Sequence, residues 1–192
     1  MNYGIDEHKH RFAVWAAGRA YARRGKGYTV AVAKRLIESA GLDRISSPTD
    51  LPPPDEVDAF IHQRIEAVCE AARVTSLECT YGRAQKLVNI YLKSKLVCAG
   101  HHDDPSVRAL HPPIDRVLIR ALVTYSHQRR NDASLAEFRA ALNAARRFGE
   151  SWTDFDKPTY DAYVAAFKLL QGSEPLWAVE KHWRPERELS ET

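Results

Sequence analysis

Apolar positions along this chain recur at three and four residues almost throughout, the spacing that places them on one side of a helix. One stripe is Val57, Phe60, Ile61, Ile65, Val68 and Ala72, and another is Ile114, Val117, Leu118, Ala121, Leu122 and Tyr125. Between them lies Leu87, Val88, Tyr91 and Leu92. Punctuation falls where helices should start and stop. Asp6, Thr29, Asp55, Asp156 and Ser173 stand at expected starts, and Gly41, Gly149 and Gly172 follow expected ends. Pro112 and Pro113, Pro158 and Pro175 suit first turns, where a missing N–H is no loss. The pattern predicts helices from Asp6 to about Ala22, Thr29 to Gly41, Asp55 through Ala72 and about Arg83 to Leu96. A fifth opens at Pro112 and runs past Tyr125, a sixth spans Ser134 to Phe148, a seventh Asp156 to Gly172, and a short last one follows Ser173. Arg23 to Gly27 breaks the first from the second, and residues 42–54 form a polar linker ending in three prolines. Only YTVAVA alternates, and too briefly for a strand. The expected fold is therefore all-α, with about eight helices. They form one compact or weakly two-lobed domain over residues 1–185, its lobes 1–50 with 130–185 and 55–128, before a frayed tail at 186–192.

Composition narrows this a little. At 192 residues the chain can bury a core without staples. A net charge of +3 permits an anionic partner without demanding one. The three cysteines, Cys69, Cys79 and Cys98, are odd in number and lack a CxxC spacing, which argues against a disulfide framework and for a reducing compartment. MNYGIDEHKHRF carries no apolar signal region, and no apolar run approaches the roughly 18 residues of a membrane span. The expected setting is cytoplasmic, with no membrane partner.

Five features carry candidate chemistry. Asp115 follows the paired prolines at a helix mouth. It is either a cap, which the free N–H groups and dipole there would favour, or an active-site carboxylate on a rigid backbone. In ECTYGRAQKLVNIYLKSK, a turn with one glycine opens a helix that carries Arg83 and Lys86, and such a start can bind a phosphate. Lys86, Asn89 and Lys93 form a polar ridge beside the apolar stripe. Cys98, His101, His102, Asp103, Asp104 and His111 could each bind a metal, but their spacing matches no ligand pattern, and no metal or cofactor is assigned. Arg120 and His127, about two turns apart on one helix, are similar to the catalytic pair of HEPN ribonucleases, although Ala121 stands where that family has a polar residue. The aromatics Trp152, Phe155, Tyr160, Tyr163, Trp177 and Trp183 have helical spacing and read as core rather than a base-stacking platform.

FAVWAAGRA, YGRAQKLVNIYLK with HPPIDRVLIRAL, and LWAVEKHW together resemble a group of all-helical bacterial proteins that implies no function. The order of a glycine turn, a basic helix start, an apolar helix, a loop and P-x-D at a helix start is similar to helix-hairpin-helix DNA glycosylases. That resemblance implies a hairpin, Thr80, Tyr81, Gly82 and Arg83, binding a DNA phosphate. It also implies a lysine nucleophile at Lys86 and a catalytic aspartate at Asp115. The family hairpin has a G-x-G core where this chain has Thr80-Tyr81-Gly82, and its gap to the aspartate is shorter. The leading expectation is a nucleic-acid-acting hydrolase of this kind, with duplex DNA as partner. The alternative is a non-catalytic helical module that binds another protein.

Overall fold

The computed structural model describes residues 3–21 and 27–184. Among these it is all-α. Helices α1 (Ile5–Ala20), α2 (Val30–Ser39), α3 (Val57–Val74) and α4 (Tyr81–Leu92) build the first part. The short α5 (Pro105–Arg108), then α6 (Arg116–Gln128), α7 (Ala136–Phe148) and α8 (Lys157–Gln171) complete it. A π-helical stretch, Lys93–His101, extends α4, and a 3-10 helix, Leu176–His182, closes the described chain. Buried apolar side chains from Ala13 to Val179 join in one cluster.

Two of the five expected starts are N-caps, whereas Asp6 lies inside α1 behind its N-cap Gly4, and Ser173 stands two residues before Pro175, the N-cap of the last helix. Thr29 accepts from the Val32 N–H, and Asp156 accepts from the Thr159 N–H at 2.9 Å. Gly41 takes a φ of +68°, which a glycine reaches without strain, and the chain leaves α2 there. The stripe of α3 is buried at Val57, Ile61, Ile65, Val68 and Ala72, with Phe60 packed at its edge. On α8, Tyr160, Tyr163, Val164 and Phe167 are buried as their spacing predicts.

Other boundaries differ. Asp55 lies in a 3-10 turn, Pro54–Glu56, and α3 begins after it. The last helix is 3-10 rather than α, and α5 was not foreseen. Expected features at Ala22, Arg23 to Lys26 and the tail lie outside the described residues. The most consequential difference concerns Pro112 and Pro113. They precede α6 instead of forming its first turn, and the run from Leu110 to Asp115 is a buried, irregular, extended segment. Prolines suit such a place for a different reason. A buried backbone must satisfy every N–H, and two prolines bring none.

Helix α4 is the hub. It packs on α1, α3 and α8, on its own π-helical extension and on the 3-10 turn Trp152–Asp154. It is buried nearly all round, and Gln85, Lys86 and Asn89 are buried with its apolar residues. Two members of the polar ridge, Lys86 and Asn89, thus face the interior, where each polar group needs a partner, while Lys93 is partly exposed.

Candidate active site at the head of α6

The partners come from the segment before α6. Gln85 grips the backbone of Ile114 with both ends of its amide. Its Nε2 donates to the Ile114 carbonyl at 2.8 Å, and its Oε1 accepts from the Ile114 N–H at 3.2 Å. One turn on, Asn89 Nδ2 lies 3.4 Å from the Pro112 carbonyl and 2.9 Å from the Tyr160 hydroxyl. The Tyr160 hydroxyl meets His111 Nδ1 at 2.7 Å, and His111 Nε2 meets Asp58 Oδ1 at 2.8 Å. Lys168 closes the chain on the other Asp58 oxygen. This network ties α3, α4 and α8 to the His111–Ile114 backbone and so fixes the residue that follows, Asp115. Burial pushes the His111 imidazole below its usual range, while Asp58, bonded to His111 and Lys168, is held well below the ordinary carboxylate value.

Asp115 is a cap and more. Its Oδ1 accepts from the Leu118 N–H at 2.8 Å, as the N-cap of α6. Its Oδ2 receives the Lys86 ammonium at 2.5 Å and the Trp183 indole N–H at 3.0 Å. The pair is nearly out of water, with side-chain exposures of 8% for Lys86 and 13% for Asp115. Burial lowers the Lys86 pKa from its ordinary value, and the Asp115 carboxylate acts against that. A second pair lies alongside, Lys93 Nζ to Glu180 Oε1 at 2.8 Å, and burial raises the Glu180 carboxyl.

Lys86 and Asp115 open onto a cleft of about 710 Å³. Trp152 and Trp183 line it, and Arg116 and Arg120 come from the exposed face of α6. Lys86 Nζ lies 5.5 Å from the Trp152 ring centre. Two of the six aromatics read as core are therefore cleft residues, whereas Phe155, Tyr160 and Tyr163 are buried in the core.

The stretch Thr80, Tyr81, Gly82 and Arg83 is placed otherwise than a phosphate-binding hairpin requires. The Gly82 N–H donates to the Phe155 carbonyl at 3.0 Å, and the Arg83 N–H to Thr80 Oγ1 at 3.2 Å. Thr80 Oγ1 itself donates to the Thr153 carbonyl. Tyr81 turns its hydroxyl to His62 Nδ1 at 2.5 Å. Arg83 donates to the Glu78 carbonyl at 3.2 Å. These groups serve the protein's own packing. Gly82 is required by contact: a Cβ there would stand 1.7 Å from the Trp152 carbonyl oxygen. The glycine lets residues 152–155 sit directly on the start of α4, and that seat holds Trp152 over Lys86.

The remaining candidates disperse. His111 is buried in the network, Cys98 is exposed, and no group of three or more His, Cys, Asp or Glu among the described residues is placed to hold a metal ion. Arg120 lines the cleft, while His127 is exposed. Sequence reasoning reached Lys86 and Asp115 but missed Gln85, His111 as a network member, Glu180 and Trp183. Gln85 and Asn89 did leave a trace, as polar residues at i and i+4 beside an apolar stripe. Trp183 was read as core, because its partner in the site is 68 positions away. No helix among the described residues is long and apolar enough to cross a membrane. No family model, curated protein or solved structure matches the chain.

Proposed function

We propose that the protein acts on nucleic acid as a base-excision DNA glycosylase, without the phosphate-binding hairpin, with Lys86 as nucleophile and Asp115 as its charge partner. The observation that carries this reading is a buried lysine, bonded to a buried carboxylate, opening onto a cleft walled by two tryptophans. Burial favours the neutral amine, the form that attacks carbon. The order of Lys86 and Asp115 in the chain, similar to those glycosylases, supports the same assignment.

The chemistry follows from the pair. Lys86 gives its proton to Asp115 or to solvent and attacks C1′ of an extruded nucleotide. The C1′–N bond breaks, and the base leaves with the electron pair and takes up a proton, from Asp115 when that carboxyl holds the Lys86 proton, which returns Asp115 to its carboxylate. Asp115 then accepts a proton from the attached amine. The nitrogen lone pair forms a C1′=N bond as the C1′–O4′ bond breaks, and O4′ is protonated. Asp115 also faces the positive charge that develops on the sugar. Arg116 and Arg120 on the cleft rim supply cations for the flanking phosphates.

The test is base release from duplexes that each carry one damaged base, with binding followed by fluorescence anisotropy at low and moderate salt. The expected result is salt-sensitive binding, tighter to an abasic-site analogue, and base release that Lys86→Gln abolishes while binding persists. Absence of binding at low salt contradicts the proposal. It would leave a helical protein-interaction module, for which the exposed Phe12 and Trp15 of α1 offer an apolar patch.

A further inference from the structure

Lys86 and Lys93 stand seven residues apart, so they share one face where α4 runs into its π-helical extension. Each ammonium ends on a different carboxylate. Lys86 reaches Asp115 at the head of α6, and Lys93 reaches Glu180 in the 3-10 helix Leu176–His182 at 2.8 Å. Backbone joins the two pairs. The Trp183 N–H donates to the Glu180 carbonyl at 2.8 Å, while the Trp183 indole N–H goes to Asp115 Oδ2. The contacts therefore close a ring. It runs from Lys93 to Glu180, on to Trp183, across to Asp115 and Lys86, and back along α4.

The end of that 3-10 helix is held by a short set of contacts among the described residues. Leu176 and Val179 are buried and anchor its first part. Beyond Val179, Lys181 pairs with Glu174, which lies just ahead of the same helix. His182 packs on the Tyr125 ring of α6, with 4.4 Å between ring centres. Glu180 supplies the ion pair that ties this end to α4, and its side chain is 14% exposed, so water screens the pair little. Trp183 lines the cleft and Glu180 does not, so Glu180 acts on the site through the residue it holds.

We propose that Glu180 and Lys93 form a latch that positions the Trp183 indole on Asp115 and thereby sets the geometry of the Lys86–Asp115 pair. The inference deepens the reading of Lys86 as nucleophile and rests on it. Glu180 is a positioning residue, because its bonds go to Lys93 and, through the backbone, to Trp183. Asp115 Oδ2 carries two donors, the Lys86 ammonium and the Trp183 indole. When Lys86 gives up its proton, the indole still donates to that oxygen, and the carboxylate keeps its orientation beside the amine. Without the latch, the helix end is tied to α6 by His182 and by the Asp115 bond itself, and the indole is free to drift. Misplacing a group at a reacting centre by about 1 Å can cost about 10²-fold in rate.

Two readouts on the full-length protein test this. In a proton–nitrogen NMR spectrum, the Trp183 indole N–H, assigned by its loss in Trp183→Phe, reports its bond to Asp115 directly. Glu180→Ala and Lys93→Met should each shift it toward the position of a free indole, and the double variant should shift it no further. Glu180→Gln keeps an oxygen for Lys93 and should lie closer to the wild type. The second readout is borohydride trapping on abasic-site DNA. Its rate should fall about tenfold in Glu180→Ala at unchanged DNA affinity and recover in Glu180→Gln. An indole resonance unmoved in both Glu180→Ala and Lys93→Met would overturn the latch. A shifted indole with an unchanged trapping rate would overturn its hold on Lys86. If the wild type gives no adduct although the indole responds, the nucleophile reading fails while the latch on Asp115 stands.

Discussion

Replacing Asp115 with asparagine separates its two roles. The cap role survives, because asparagine caps a helix about as well as aspartate and keeps an oxygen for the Leu118 N–H. The charge role does not. Lys86, with its side chain 8% exposed, then has no anion bonded to its ammonium. Breaking a buried ion pair from one side costs about 3–5 kcal/mol. Glu180 also acts on Lys86 electrostatically, which places the expected loss at the low end, about 3 kcal/mol. In a Lys86→Met background no buried cation needs a partner, so Asp115→Asn should cost under about 1 kcal/mol there. The coupling between the two positions is then about 2 kcal/mol. Urea denaturation of the four proteins, followed by circular dichroism, measures it. Equal losses in both backgrounds would refute the reasoning and leave Asp115 as a cap alone.

The remaining predictions follow from neighbouring contacts. Gly82→Ala forces a Cβ onto the Trp152 carbonyl, so it should cost about 3 kcal/mol and shift tryptophan emission; an unchanged urea midpoint would remove the contact argument. Asn89→Leu leaves the Pro112 carbonyl and the Tyr160 hydroxyl without their donor and should cost about 2 kcal/mol by the same urea assay. Trp183→Phe keeps the ring but loses the N–H to Asp115; stability should fall by about 1 kcal/mol and the rate of base release should also drop, whereas an unchanged rate would take Trp183 out of the site. Because burial holds the Lys86 pKa below 10.5, the folded state binds this proton less tightly than the unfolded chain. Raising pH from the folded value towards 10.5 should therefore stabilise the wild type relative to Lys86→Met, and lowering it should remove that gain. A pH-independent difference between the two would contradict the burial of the ammonium.

Helices were legible wherever one face meets the core and the other meets water. On α3 and α8 the apolar spacing alone located the buried residues. α4 was harder, because a helix enclosed on all sides shows no polar face, and Lys86 and Asn89 read as a polar ridge beside the apolar stripe while Gln85 drew no reading. Their burial depends on the His111–Asp115 segment supplying partners, which no local pattern reveals. Pro112 and Pro113 fit a first turn and a buried irregular segment equally well, so the sequence could not place the start of α6. Gly82 was read as a turn glycine or a phosphate contact, since its reason, the Trp152 carbonyl, is 70 positions away. Lys86 and Asp115 came from the resemblance and from the oddity of an acid fixed behind two prolines. What joins them to Trp152 and Trp183 is long-range packing.

The most direct test of the central claim is borohydride trapping on duplex DNA that carries a single aldehydic abasic site. The Lys86 amine, once it has given up its proton, should form an imine with C1′, and reduction should leave a stable protein–DNA adduct. The account predicts one adduct, mapped by peptide mass spectrometry to Lys86, lost in Lys86→Gln and much reduced in Asp115→Asn. An adduct spread over several surface lysines, with undiminished yield in Lys86→Gln, would contradict it.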